Sequence, residues 1–212
     1  MSDPDTIATY ESVAVEYRER HADRSVVAEI VDAFLDALTA GTAAGPASDT
    51  NGGGEPDEPR VLDVGCGPGW ESATFADAGH DVLGIDLTSE FLDAAANETA
   101  PTADFARMDM RRLGFVDATF HGLWACASFL HVPRENAPAT LAGFERVLTD
   151  GGVLALSVKR GDGTRPGDGY DDDQREFVLY QPGEFRELVE DAGFTVETVD
   201  AREYWIFLLA RC

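Results

Sequence analysis

Residues 61–70 read VLDVGCGPGW, an apolar run that gives way to glycine at every second position, Gly65, Gly67 and Gly69. Glycine is costly unless its freedom is used, either for φ > 0 or for close approach of the backbone to a neighbour. A buried strand that ends in such a turn and continues into a helix is how an open parallel sheet builds a ligand site beyond its carboxyl edge. The spacing narrows the guest. A dinucleotide turn reads G-x-G-x-x-G, with the diphosphate on the helix N-terminus. Here the third glycine comes one residue early, and Trp70 stands where it belongs. No G-x-x-x-x-G-K-[ST] run occurs, which excludes a P-loop.

The surrounding pattern supports that architecture. Short β-rich runs appear at RVLDV, DVLGID, DFARMD, HGLWACA and VLALSV. Helical segments lie between them: ESATFADAG, SEFLDAAANETAP and NAPATLAGFERVLTDGG. In the last, Leu141, Phe144 and Leu148 share a face, and Gly151-Gly152 is expected to stop the helix. Strand and helix in alternation imply a parallel sheet covered on both faces, with right-handed crossovers. After a helix over Phe185, Leu188, Val189 and Ala192 come FTVETVD and YWIFLLARC, too close together for a helix between them, hence an antiparallel hairpin. Upstream, the first forty residues read as helices. Val26, Val27, Ile30, Val31, Phe34, Leu35 and Leu38 line one face of the second, and Gly41 is expected to end it. The expectation is a single α/β domain over 1–212: capping helices in 1–40, a flexible acidic loop in 41–59, and a core in 60–212. The core is a doubly wound, mostly parallel seven-stranded sheet of Rossmann-like type, with the antiparallel hairpin at its end.

Acids at strand ends sharpen the guest. Asp86 closes the second strand, where a carboxylate can accept both hydroxyls of a ribose. Asp109 closes the third, where a carboxylate beside the Met110 amide can read the amino edge of an adenine. Nothing nearby neutralises a phosphate. These motifs, in order, resemble the class I S-adenosylmethionine-dependent methyltransferases. VLDVGCGPG is similar to the glycine-rich first motif of that family and VLGIDLT to the acidic second. ARMDM, FHGLWACASFLHV and RVLTDGGVLALSVK are similar to the third, fourth and fifth. YESVAVEYRERHA resembles the N-terminal helix that often closes over the cofactor.

The resemblance implies S-adenosyl-L-methionine as cofactor and assigns its contacts. Gly65, Cys66, Gly67 and Gly69 form the loop, with the Cys66 thiol given no chemistry. Asp86 and Leu87 meet the ribose, Asp109 and Met110 the adenine, and Ala127 and Ser128 offer backbone carbonyls to the methionyl ammonium. Tyr17, with Tyr10, comes from the cap. Asp63 orients the loop more than it touches the ligand. His131 is the candidate catalyst, either a general base or a histidine that only shapes the pocket. Methyl transfer to an activated sulfonium needs no obligatory base, since alignment supplies most of the acceleration. The segment 159–180 follows the fifth strand. There REFVLY reads as a short extra strand, and Arg160, Arg175 and Tyr180 are candidates to line an acceptor site.

Charge sets the setting. Forty acids face sixteen bases, one of them a lysine, Lys159, for a net charge of −24 and a pI near 4.2. Such self-repulsion is relieved only where salt screens it; at about 1 M the Debye length is about 3 Å. The expectation is a halophilic protein of the cytoplasm. With no basic stripe for a phosphate backbone, nucleic acid is not the expected substrate. Three cysteines without C-x-x-C spacing suggest reduced thiols and no metal knuckle. No apolar stretch approaches membrane length, and the N-terminus lacks a signal pattern. The partner expected is therefore a small-molecule acceptor, with no membrane, for a monomer or homodimer. Two other readings are a cofactor-binding regulatory or scaffold protein without turnover, and a dinucleotide-dependent oxidoreductase, which Trp70 and the hairpin tail disfavour.

Overall fold

The computed structural model describes residues 4–44 and 58–212. Most of the loop expected over 41–59 lies outside the described residues. Helices α1 (Pro4–Arg20) and α2 (Ala28–Ala44) precede β1 (Arg60–Val64), α3 (Trp70–Asp77), β2 (Asp81–Asp86), α4 (Ser89–Ala94) and β3 (Asp104–Arg107). Then follow β4 (Phe120–Cys126), α5 (Ala137–Val147), β5 (Leu148–Arg160), β6 (Thr164–Pro166), β7 (Glu176–Tyr180), α6 (Pro182–Asp191), β8 (Thr195–Ala201) and β9 (Trp205–Arg211).

The main sheet runs β3-β2-β1-β4-β5-β9-β8, with the first five strands mutually parallel and β9 antiparallel to both its neighbours. This is a doubly wound, Rossmann-like α/β fold closed by the expected hairpin. The strand order reverses between β1 and β4, so the turn after β1 opens at the switch point where ligands bind. Strand residues alternate between two buried faces, as central parallel strands must. Leu62, Val64, Leu123 and Ala125 pack with Phe144 of α5 and Phe185 of α6. Val61, Trp124, Val153 and Ala155 pack with Phe34 and Leu38 of α2 and Phe75 of α3. Phe34, Phe75 and Trp124 meet with ring centroids 5.2 to 5.5 Å apart. Among the described residues no helix is long and apolar enough to cross a membrane.

The structure corrects several expectations. Among the described residues the sheet has nine strands, two more than the seven expected. REFVLY supplies β7, and Thr164–Pro166 adds β6 antiparallel to it. β7 pairs with β5 at Lys159↔Leu179 and Arg160↔Tyr180, past the last β4 pair, Cys126↔Ser157. Lys159 also pairs with Trp205 of β9, so β7 lies on the β4 side and extends that row over the carboxyl edge. Leu148 begins β5 instead of ending α5, and Gly151 and Gly152 lie within the strand, where the β4–β5 register shifts between Phe120 and Gly122. Two glycines after an apolar residue serve a bulge as readily as a helix stop. Helix α2 runs past Gly41 to Ala44; one glycine costs a helix only about 1 kcal/mol, and two alanines follow. Val26 sits in a 3₁₀ turn before α2 and is exposed. Strand β3 ends at Arg107, so Asp109 lies in the turn beyond it.

Candidate functional site

The glycines of the first turn are empty for different reasons. Gly65 has φ +69°, and an added Cβ would lie 2.3 Å from the Ser128 Cβ. Ser128 occupies that space because its hydroxyl donates to the Val64 carbonyl at 2.6 Å, locking the turn after β4 onto the end of β1. Gly69 opens α3, and its missing side chain admits Ala95 at 2.8 Å from where a Cβ would stand. Gly67, at φ +53°, has no protein atom within 4 Å of an added Cβ and lines a cavity. Of the three, Gly67 is bare toward a guest.

That cavity, of about 130 Å³, lies over the carboxyl ends of β1, β2 and β4. Tyr17, Gly65, Gly67, Asp86, Leu87, Asp109, Met110, Ala127, Ser128 and His131 all line it. Asp63, Cys66 and Gly69 do not. Asp63 is buried beneath the loop, where Ser72 Oγ donates to it at 2.6 Å. Burial, with the nearby Glu71 charge second, pushes its pKa up to about 8. The Cys66 thiol is buried behind the loop, and burial raises its pKa well above the ordinary value. Lining residues with no local sequence signal are Thr6, Ile7, Phe91 and Arg111. The first two come from a cap whose register only the fold reveals.

Asp86 anchors the floor. Its carboxylate accepts N–H bonds from Gly67 at 3.0 Å, Leu87 at 2.7 Å and Thr88 at 2.8 Å. Burial raises its pKa, and those N–H groups oppose the rise. A carboxylate has about four acceptor sites, of which these N–H groups take two at Oδ1 and one at Oδ2. Asp109 is clasped by Arg111, with Nη2 to Oδ2 at 2.6 Å and Nε to Oδ1 at 3.0 Å. Against the cost of burial, those bonds hold its carboxyl below the ordinary value. Arg111 is the single arginine or lysine lining this cavity among the described residues, and Asp109 neutralises it. A hydroxyl-accepting carboxylate, apolar walls at Ile85, Phe91 and Met108, and no free cation fit a nucleoside that carries no phosphate.

A second cavity, of about 600 Å³, adjoins the first, and Tyr10, Tyr17, Cys126 and Ala127 wall both. Ala127 sits at φ +54°, a strained conformation for a residue with a Cβ, and its N–H is held by Ser157 Oγ at 2.8 Å. The roof joins distant parts of the chain. Gln174 N–H donates to Thr9 Oγ1 at 3.2 Å, Arg20 donates to the Gly169 carbonyl, and Arg175 Nη1 donates to Tyr10 Oη at 3.4 Å. His131 lies under this roof. Its Nδ1 is 3.0 Å from the Glu176 carbonyl, which can only accept, so the proton is on Nδ1 and Nε2 accepts from Tyr10 Oη at 3.0 Å. Burial lowers its pKa to about 4. Desolvation likewise raises Tyr10 to about 12, so both groups are neutral near pH 7. Arg175 joins the site; Tyr180 is packed into the core against Phe185, and Arg160 donates to the Arg202 carbonyl outside both cavities.

Residues 61–152 match the family model described as a methyltransferase domain, which spans the glycine turn, Asp86, Asp109 and His131. A malonyl-[acyl-carrier protein] O-methyltransferase of Erwinia pyrifoliae is 33% identical over 99 residues, covering 47% of this chain and 37% of that protein. A ubiquinone biosynthesis O-methyltransferase of Psychrobacter cryohalolentis is 34% identical over 105 residues, covering 47% and 40%. Among solved structures, the 1,6-didemethyltoxoflavin-N1-methyltransferase of Burkholderia thailandensis, with bound 1,6-didemethyltoxoflavin and S-adenosylhomocysteine, superposes with TM-score 0.75 at 20% identity. That likeness covers 98% of this chain and 87% of that one. The matches to these curated relatives span less than half of their length.

Proposed function

We propose that this chain is an S-adenosylmethionine-dependent methyltransferase acting on a small-molecule acceptor. One observation carries the reading: a phosphate-free nucleoside cavity and a larger second cavity meet at Tyr10, Tyr17, Cys126 and Ala127 under one roof. The matched methyltransferase domain and the S-adenosylhomocysteine held by a protein of the same fold support it. When bound, the cofactor supplies a methyl group activated by its sulfonium.

In this reading the chain's own residues bind and align. Asp86 receives a ribose hydroxyl at Oδ2, while Leu87 and Thr88 hold the other oxygen in place. Met110 and the Asp109–Arg111 pair border the base, and the backbone at Ala127 and Ser128 borders the amino-acid tail. His131 acts as a positioning residue. With a pKa of about 4 and Nε2 already engaged, it is a poor base for an ordinary hydroxyl and a good anchor for Tyr10. Alignment of methyl and acceptor then provides the acceleration. The acidic surface suits a cell interior at molar salt, and the unit from 1 to 212 serves as one catalytic domain.

Calorimetry in about 2 M KCl, where screening is short-ranged, tests the cofactor. S-adenosylhomocysteine should bind and NAD should not; preferential binding of NAD would overturn the proposal. With methyl-labelled cofactor and a cell extract, label should enter small molecules. Label in protein or RNA would reassign the acceptor. Binding without any transfer would favour the regulatory reading.

A further inference from the structure

The chain carries forty acids against sixteen bases, yet the second cavity inverts that ratio. Arg20, Arg24, Lys159, Arg175 and Arg202 line it, against the single carboxylate, among the described residues, of Asp168. The arginines are already answered: Arg24 by Glu71 at 2.6 Å, Arg175 by Asp173 at 2.6 Å, Arg202 by Asp200 at 2.8 Å, and Arg20 by Glu16. Asp168 is itself engaged by Arg165. Lys159, the one lysine of the sequence, has no carboxylate within 4.0 Å among the described residues. Its ammonium lies 4.8 Å from the Phe177 ring centre and 4.9 Å from that of Trp205, half-buried between two aromatic faces. Burial, then the charges of Arg165 and Arg175, lowers its pKa, and the more distant Asp168 carboxylate opposes them only in part.

A half-buried ammonium with no carboxylate in contact is expensive unless something else neutralises it. In a protein this acidic, leaving the lone lysine unanswered inside an aromatic cavity is chemistry addressed to a ligand. One cation with no carboxylate in contact, beside guanidinium groups that each already have one, matches a single negative charge better than a phosphate dianion. The walls beside it, Phe177, Trp205, Phe207 and Tyr170, suit a flat apolar body. A volume of about 600 Å³ holds one drug-sized molecule.

We propose that the second cavity binds a small aromatic monocarboxylate, its carboxylate on Lys159 and its ring among Phe177, Trp205 and Tyr170. The inference rests on the methyl-transfer reading only in making that ligand the acceptor; as a binding statement it stands alone. The test uses protein saturated with S-adenosylhomocysteine in KCl and three matched probes: 3,4-dihydroxybenzoate, its neutral amide, and the corresponding benzylamine. Calorimetry should show the acid binding at least about tenfold tighter than the amide, in line with a hydrogen bond to a charged group, and the amine weakest. Lys159→Met, which keeps the stem between the rings, should bring the acid down to the amide and leave amide and S-adenosylhomocysteine binding unchanged. Lys159→Arg should retain the preference. Equal binding of acid and amide to the unmodified protein, or an acid preference that survives Lys159→Met, would overturn the inference. Failure of the methyl-transfer reading looks different: carboxylate preference intact, with no label transferred to any acid.

Discussion

Asp63 offers a prediction whose size follows from its surroundings. It is 2% exposed, two residues before Gly65, and its pKa is pushed up to about 8 by burial and by Glu71. In an unfolded chain an aspartate titrates at about 3.9. Between these values the folded protein binds one more proton than the unfolded one. Stability from this group is therefore full below about pH 4 and is lost as pH rises to about 8, at about 1.4 kcal/mol per unit. Asp63→Asn mimics the protonated carboxyl and removes that dependence. His131 works in the opposite sense: with its pKa lowered to about 4, its contribution disappears as pH falls below about 6.5. It is common to both proteins, so the difference between their stability curves isolates Asp63. Urea titrations from pH 5 to pH 8 should show that difference, variant minus unmodified protein, climbing by about 4 kcal/mol. A flat difference would mean that Asp63 stays ionised in the fold, and the argument from burial would fail.

Other expectations are quicker to check. Gly65→Ala meets both a positive φ and the Ser128 Cβ, so denaturation should register a loss of about 2–4 kcal/mol; a neutral result would contradict the contact. Gly67→Ala has room for its Cβ in the fold and should lose only about 1–2 kcal/mol of stability, yet calorimetry should show S-adenosylhomocysteine binding largely abolished. Asp86→Ala should weaken that binding by about 1.5–3 kcal/mol, and unchanged affinity would remove Asp86 from the site. Thermal unfolding should shift steeply upward between dilute buffer and about 2 M KCl; a salt-insensitive melting temperature would end the halophilic reading.

The parts legible in the sequence are those where neighbouring residues cause the structure. The glycine turn, Asp86 and the closing hairpin follow from strands, turns and spacings a few residues long. Where outcomes depended on distant packing, the pattern was silent or misleading. The helical spacing of Leu141, Phe144 and Leu148 continues past Val147, but pairing of Leu148 with Phe120 claims that residue for β5. Gly69 shares its motif with Gly67 yet faces Ala95, because α4 continues into a π turn that brings Ala95 against it. The Tyr10–His131–Arg175 cluster joins α1, the turn after β4 and the segment before β7. No local spacing links three residues that far apart, so only the fold reveals that His131 has its lone pair already taken.

Helix α1 is a wall common to two rooms. Tyr10 and Tyr17 face both cavities, and the bonds to Gly169, Gln174 and Arg175 fasten that wall to the roof. A movement of α1 that lets a spent cofactor leave also unroofs its neighbour, so exchange by this route renews both occupants together. Under the proposed function the protein is then distributive: one methyl group per visit, with a doubly methylated product formed only by a molecule that departs and returns.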